Sequence, residues 1–344
     1  MAAGPLSADM KIRRFQMVTP DILSKAAASF DFDVNTLEFI SHSANEVYRF
    51  TKNNDHYILR LSLKPFAYRD KIHAELEWVH DLVQHGVNAS LPILSKDQQL
   101  TAVYEEEGQC YIAAVFRMAL GKFFDKGHPH LWGTAVYQAW GETMGKMHLH
   151  SKSYKPLVKG RQRDHWSKMD FSNPNLQHGK YRVLLEKLRS LENEIDLYSR
   201  DENEYGLIHN DLHPYNFMID GDTITVFDFD DSIYGWYALD IAIAATHAVW
   251  WGSPGEDRGS KNEFARKFLD YFLEGYFKHH QLESHWIQRI PLFMDYRNIC
   301  SFFWWLQDWD GDESKLNDFQ KNAIAEAVKI IADGRSFDGC EIEM

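Results

Sequence analysis

The chain has 344 residues, 44% of them hydrophobic and 25% charged, with a formal net charge of −13 at pH 7. That length exceeds one typical hydrophobic core and suits two lobes, and the acidic balance argues against partners bound by neutralising a nucleic-acid backbone. Three scattered cysteines (Cys110, Cys300, Cys340), an N-terminus without an apolar leader and no long apolar run predict a cytoplasmic protein with no disulfide framework, no zinc knuckle and no membrane span.

The first third predicts strands around one main helix. TPDILSKAAASF (19–30) reads as a short helix with Thr19 as N-cap and Pro20 in the first helical position. LEFISH (37–42), EVYRFT (46–51) and YILRLS (57–62) are rich in β-formers, and NNDH offers a hairpin turn between the last two. Across 67–86, Ile72, Leu76, Val79, Leu82 and Val83 recur at helical spacing, and Gly86 supplies a stop. LPILS, LTAVYE and CYIAAVF return to strand character, separated by KDQQ and EEEGQ.

Beyond Phe116 the text turns irregular, and a hinge is expected near 116–121. From 131 onward helices dominate: LWGTAVYQAWGETMGKMHLHS, YRVLLEKLRSLENEIDLY (181–198), FARKFLDYFLEGYF and IPLFMDYRNICSFFWWLQDW. There is no internal repeat and no low-complexity tract. The expectation is an α+β chain: a small β-rich lobe over 1–116 and a large helical lobe over 117–344.

The segment 206–231 stands apart. HNDLHPYN (209–216) runs into FMID, then the turn GD, then TITVFDFDD. His209, Asp211 and His213 alternate, as ligands on one strand face would. Pro214 and Tyr215 break that strand at once, and no second cluster with ligand spacing occurs. HPH (128–130) and HLH (148–150) stand isolated among 17 histidines. The alternative is phosphoryl transfer. It needs a carboxylate to take the proton of an acceptor hydroxyl and hard oxygen donors for a magnesium ion beside the phosphates. Asp211, Asn216 and Asp228 offer these three groups, and a hairpin of FMID with TITVFD returns Asp228 towards Asn216.

HNDLHPYN resembles the HxDxxxxN catalytic loop of the aminoglycoside phosphotransferase and choline kinase group. TVFDFDD resembles that group's metal motif, which stands where protein kinases carry DFG. The resemblance implies a protein-kinase-like bilobal fold, Asp211 as catalytic base, Asn216 and Asp228 as Mg²⁺ ligands, and ATP as phosphate donor. His209 would brace the loop. His213 would brace it too or line the acceptor pocket, and Asp230 and Asp231 would lie outside the ligand set, with Asp230 the nearest rival to Asp228.

The N-terminal lobe fits in part. The turn SHSANEVY (41–48) has no glycine, but small Ser43 and Ala44 let backbone N–H groups approach phosphate, and Asn45 tolerates positive φ. Where related enzymes carry the ATP lysine, this chain has Arg60, which can pair with phosphates bidentately; Lys64 is the substitute if Arg60 points elsewhere. The resemblance puts the acid that holds this cation early in the helix 67–86, at Glu75; Glu77 lies two residues on and faces another side. The stretch CYIAAVFRMALG would hold adenine near Phe116, Arg117 and Ala119.

The acceptor is expected to be a small hydroxylated molecule, a cationic one among the candidates: an aminoglycoside, an amino alcohol or homoserine. Asp240, in GWYALDIA, is expected to brace the loop. Trp236, Trp250, Trp251, Trp304, Trp305 and Trp309 include rings that could cage an ammonium. Trp305 and Trp309, four apart on one helical face, are the candidates, with Trp304 turned away, Asp308 and Asp310 adding charge, and His213 and Asp230 the other acceptor-side residues. Two other functions compete. A protein Ser/Thr kinase lacks its APE-ended activation segment here. A non-catalytic nucleotide-binding module draws support from the glycine-free turn and the arginine at 60.

Overall fold

The structure, a computed structural model, describes residues 18–344. The chain forms two compact units. One takes the chain up to Phe124 together with Ser153–Arg163 and Tyr215–Ser232; the other takes Asp125–Lys152, Asp164–Pro214 and Ile233–Met344.

The first unit begins with α1 (Pro20–Phe30), where the Thr19 hydroxyl accepts from the Ile22 N–H and Pro20 occupies the first turn. Six antiparallel strands follow: β1 (Glu38–His42), β2 (Glu46–Lys52), β3 (Asp55–Leu63), β4 (Pro92–Ile93), β5 (Ala102–Glu106) and β6 (Gln109–Arg117). Their order is β1-β2-β3-β6, with β4 and β5 both on β6. Asn53 and Asn54 turn β2 into β3 with φ of 53° and 67°, the left-handed pair that a two-residue hairpin turn needs.

Strand alternation divides the sheet's two faces. Tyr48, Phe50, Leu59, Leu61, Tyr111, Ala113 and Val115 pack with Ile22, Ala26 and Phe30 of α1. Ile112 and Ala114 pack with Ile72 and Leu76 of α2 (Arg69–Gln84), the main helix expected from the apolar spacing. Arg60 lies opposite Ala114 and so belongs to the α2 face. The unit is completed by a hairpin of β8 (Phe217–Asp220) and β9 (Thr223–Val226), turned at Gly221 with φ 59°. Backbone bonds from Ser90 to Val226, from Val226 to Asn88, and both ways between Lys122 and Ile219 fix it to the preceding chain.

The second unit is mainly helical: α3 (Thr134–Ser151), α4 (Gly179–Ile195), α5 (Tyr237–Gly252), α6 (Arg258–Tyr276), the single turn α7 (Ser284–Ile287), α8 (Ile290–Leu306) and α9 (Asp318–Ala332). A two-stranded ribbon pairs β7 (Tyr205–Ile208) with β10 (Ile233–Trp236). Helices α3 and α6 meet backbone to backbone. A Cβ added at Gly141 would sit 1.8 Å from the Phe272 carbonyl oxygen, and one at Gly275 would sit 2.0 Å from that of Gln138. Helix α5 is buried along nearly its whole length, with Trp250 its exposed residue.

One expected element is shorter than its sequence suggested. The helix over IPLFMDYRNICSFFWWLQDW ends at Leu306, so Trp309 lies in the turn beyond it and shares no helical face with Trp305. The apolar spacing simply runs out there: Gln307, Asp308 and Asp310 are exposed, and Asp312 caps a new 3₁₀ turn.

Candidate active site

In the second unit, the loop after β7 is held from below by a buried carboxylate. Asp240, fully buried on α5, accepts from the backbone N–H of His209 at 3.0 Å and of Asn210 at 2.8 Å. These bonds hold Asn210 in the left-handed region at φ 66°. Asp240 also accepts from His148 Nε2 at 3.0 Å. With that proton on Nε2, His148 Nδ1 accepts from the Tyr276 hydroxyl at 2.8 Å, and His280 Nδ1 donates to the tyrosine oxygen at 3.1 Å. Burial raises the carboxyl pKa of Asp240, but His148, the nearby His209 and the backbone donors outweigh it and leave the group below its ordinary range. Burial keeps His148 neutral. Asp240 thus braces the loop as expected, and His148, which looked incidental in HLH, orients it.

Asp211, three-quarters buried, stands on this braced loop. Arg297 of α8 donates through Nη2 to its Oδ1, and His213 Nε2 lies 3.5 Å from its Oδ2. Burial pushes the Asp211 carboxyl above its ordinary range, a rise that Arg297 and His209 only partly offset. Burial, with His209 and Arg297 as neighbours, pushes His213 down to about 3, so it is neutral near pH 7. His247, buried on α5, accepts from Arg297 Nε at 3.4 Å and meets its Nη2 at 3.3 Å. Its own pKa is driven well down by burial and by Arg297. The guanidinium of Arg297 also lies over the Trp304 ring, 4.3 Å from its centroid.

In the first unit, Arg60 and Glu75 form a buried bidentate ion pair, with Nη1–Oε1 and Nη2–Oε2 both at 2.8 Å. Burial opposes the charge on Arg60, yet Glu75, Asp230 and Asp228 raise its pKa above the ordinary value. Glu77 turns elsewhere, accepting from the Leu157 N–H and the Tyr154 hydroxyl. Lys64 lies over the Tyr68 ring. The hairpin of β8 and β9 closes at its open end through a bond from the Phe227 N–H to the Asn216 carbonyl at 2.9 Å. Asp228, the next residue, is exposed and left-handed at φ 64°. Asp230 accepts from Asn45 Nδ2 at 3.0 Å, and its backbone carbonyl accepts from Arg163. Burial raises the Asp230 pKa, but Arg60, Asn45 and Arg163 outweigh it and hold the group ionised.

Asn45, of a residue type that tolerates positive φ, does not take it here. It is buried, and its carboxamide also accepts from the Ser62 hydroxyl at 2.6 Å, so the side chain rather than the backbone shapes the turn. Ser43 is exposed, and its N–H donates to the Asn45 carbonyl. At the end of β6, Phe116 lies under the Arg60 guanidinium at 5.2 Å. The N–H groups of Arg117 and Met118 are taken by Leu91 and His56, and Ala119 is buried just beyond. Trp309 packs on Tyr181 at 4.4 Å and donates to the Asp312 carbonyl, while Trp305 packs on Phe302 and Phe319. Asp310 pairs with Lys315. Trp304, expected to point away from the Trp305 face, lies under Arg297 beside Asp211, and Trp250 and Trp251 pack on His247.

A model described as the phosphotransferase enzyme family matches residues 36–283, well over half of the chain. The chain belongs to that family. Within it, this phosphotransferase is 29% identical over 287 residues to amicoumacin kinase of Bacillus subtilis (strain 168), covering 82% of this chain and 83% of that protein. The solved structure of amicoumacin kinase hAmiN, in complex with AMP-PNP, Ca²⁺ and Ami, superposes with a TM-score of 0.80 at 27% identity, covering 92% and 93% of the two chains. A microcompartment-associated aminopropanol kinase shares the fold with a TM-score of 0.71 at 20% identity, covering 93% and 99%. The fold is protein-kinase-like, and the chain is a small-molecule kinase whose acceptor is an alcohol group.

Besides His148, three residues of this phosphotransferase escaped the reading of its sequence. Arg297 and His247 come from helices far from HNDLHPYN in the chain, and Arg163 comes from an irregular stretch. A faint signal existed for the first two: each is the lone basic side chain of a largely apolar helical run, FMDYRNICSFF and IAATHAVWW. A buried arginine needs an acid partner.

Proposed function

We propose that the protein transfers the γ-phosphate of ATP to a hydroxyl of a small molecule, with Asp211 as base and Asn216 and Asp228 holding Mg²⁺. The observation that carries this reading is the hairpin closure that sets Asn216 and Asp228 one residue apart across the ladder, with Asp228 exposed. A carboxamide oxygen and a carboxylate are hard donors, suited to Mg²⁺ and unsuited to softer metals. The bound ion would neutralise charge building up on the phosphates. Arg60 Nε, buried and without a hydrogen-bond partner among the described residues, is a donor that a nucleotide phosphate can satisfy. With the Arg117 and Met118 N–H groups engaged, a backbone donor to adenine comes from Ala119 onward.

In the transfer, the acceptor oxygen forms a bond to the γ-phosphorus, the bond from that phosphorus to the β–γ bridging oxygen breaks, and ADP leaves. Asp211 orients the acceptor and takes its proton. A raised pKa suits this task, because a carboxylate nearer in basicity to its surroundings accepts the proton more readily. With His213 and His247 neutral, Arg297 is the guanidinium paired with the base.

Amicoumacin, the substrate named for the relatives, is the first acceptor to try, with 1-amino-2-propanol as the second. Product is read by phosphorus NMR in the presence of ATP and Mg²⁺. Asp211→Asn lowers turnover by about 10²–10⁴-fold while leaving nucleotide binding in place. Turnover in Asp211→Asn within tenfold of the parent rejects the assignment.

A further inference from the structure

Arg297 does more than face the base. Its Nε and Nη2 are committed to His247 and Asp211. Its Nη1 has no hydrogen-bond partner among the described residues and so remains a donor beside the Asp211 carboxylate. The guanidinium cannot swing away: Trp304 lies under it, and His247 holds its Nε edge. A hydroxyl donating to Asp211 therefore meets two fixed N–H donors alongside it. Trp304 and Trp250, 46% and 38% exposed, flank this spot as apolar surfaces, with Trp251 packed on His213 and His247.

Such a donor selects. A cation carried next to the reacting hydroxyl would be pressed against the guanidinium. A carbonyl or carboxylate oxygen in that position would accept from Nη1, a charge-assisted bond in a partly desolvated site. Building on the reading of Asp211 as base, we propose that Arg297 is a specificity-determining residue that binds an acceptor oxygen on the carbon adjoining the reacting carbinol. The favoured acceptors are then 2-hydroxy amides and 2-hydroxy acids rather than plain amino alcohols.

The test uses the full chain with ATP, Mg²⁺ and two matched probes, N-benzyl lactamide and 1-(benzylamino)propan-2-ol. They share the hydroxyl and the ring and differ in the carbonyl and the charge that follows its loss. Lactate serves as a third. The expected result is a kcat/KM for the amide at least about tenfold above that for the amine, since a donor built to meet an oxygen discriminates against an acceptor lacking it. In Arg297→Lys and Arg297→Met this ratio falls to near one, whatever happens to the absolute rate. The ratio is internal, so damage to Asp211 cancels, and the parent protein alone already decides the sign. A parent that prefers the amine, a ratio unchanged in both variants, or no transfer to any of the three overturns the proposal. Amicoumacin or aminopropanol turnover that still depends on Asp211 would then leave the base assignment standing. Turnover of these acceptors that ignores Asp211→Asn would remove that assignment instead.

Discussion

The Arg60–Glu75 pair permits a quantitative test. Both side chains are almost wholly out of water, 6% and 1% exposed, and they share two hydrogen bonds of 2.8 Å. In Glu75→Gln the shape and one acceptor survive, but a buried guanidinium loses its facing charge. Breaking a buried pair from one side costs about 3–5 kcal/mol. Asp230 and Asp228 still act on Arg60 here, which places the expected loss near the lower end, about 3 kcal/mol. In contrast, Arg60→Met with Glu75→Leu removes both desolvation penalties and recovers most of that loss, because apolar replacement of a buried pair is often neutral or stabilising. The measurement is urea unfolding followed by hydrogen exchange in peptides from β3 and α2, which reports this unit separately from the other. The double variant should be stable yet unable to bind nucleotide tightly. The reasoning fails if Glu75→Gln lies within about 1 kcal/mol of the parent, or if the double variant is less stable than Glu75→Gln.

Three further outcomes are expected. Asp240→Asn replaces an acceptor for two backbone N–H groups and a histidine with a group that presents N–H₂ to one of them, and should cost about 2–4 kcal/mol and lower kcat. Its folded-state pKa lies below the ordinary 3.8, so its contribution is present above that value and drains as pH falls through the depressed pKa; acid unfolding of the parent should therefore be steeper than that of the variant. The acid limb of the kcat/KM–pH profile should lie above the usual aspartate range, because Asp211 must be ionised and its pKa is raised. Arg297→Met removes a cation that favours the carboxylate, so the limb moves to higher pH; an unmoved or lowered limb contradicts the pairing. Gly141→Ala drives a methyl into the Phe272 carbonyl and should destabilise the helical unit by about 3 kcal/mol, the upper end for overpacking, visible as a lower urea midpoint.

What the sequence made legible was local. The HNDLHPYN loop, the hairpin that follows it and the helix carrying Glu75 all lie in contiguous text whose period or turn chemistry fixes them. Arg60 and Glu75, fifteen positions apart on a strand and the helix that follows it, were paired through the family resemblance. Arg297 could not be paired with Asp211, because the two lie 86 positions and three helices apart and nothing in either segment specifies the other. The shared helical face expected of Trp305 and Trp309 is absent for a related reason: α8 stops at Leu306, where exposed polar residues end the apolar stripe. The role of His148 was hidden similarly, since its partner Asp240 lies 92 residues away.

The turn over 43–45 lacks glycine, yet it is tied at its root. Ser62 and Asp230 grip opposite ends of the Asn45 carboxamide. A glycine-rich flap buys mobility at the expense of definition, whereas this one is latched to the strand behind it and to the acidic motif beside it. Its resting shape is therefore coupled to the ionisation of Asp230. Neutralising that one carboxylate would loosen a loop 185 positions earlier in the chain, without touching any residue of the loop itself.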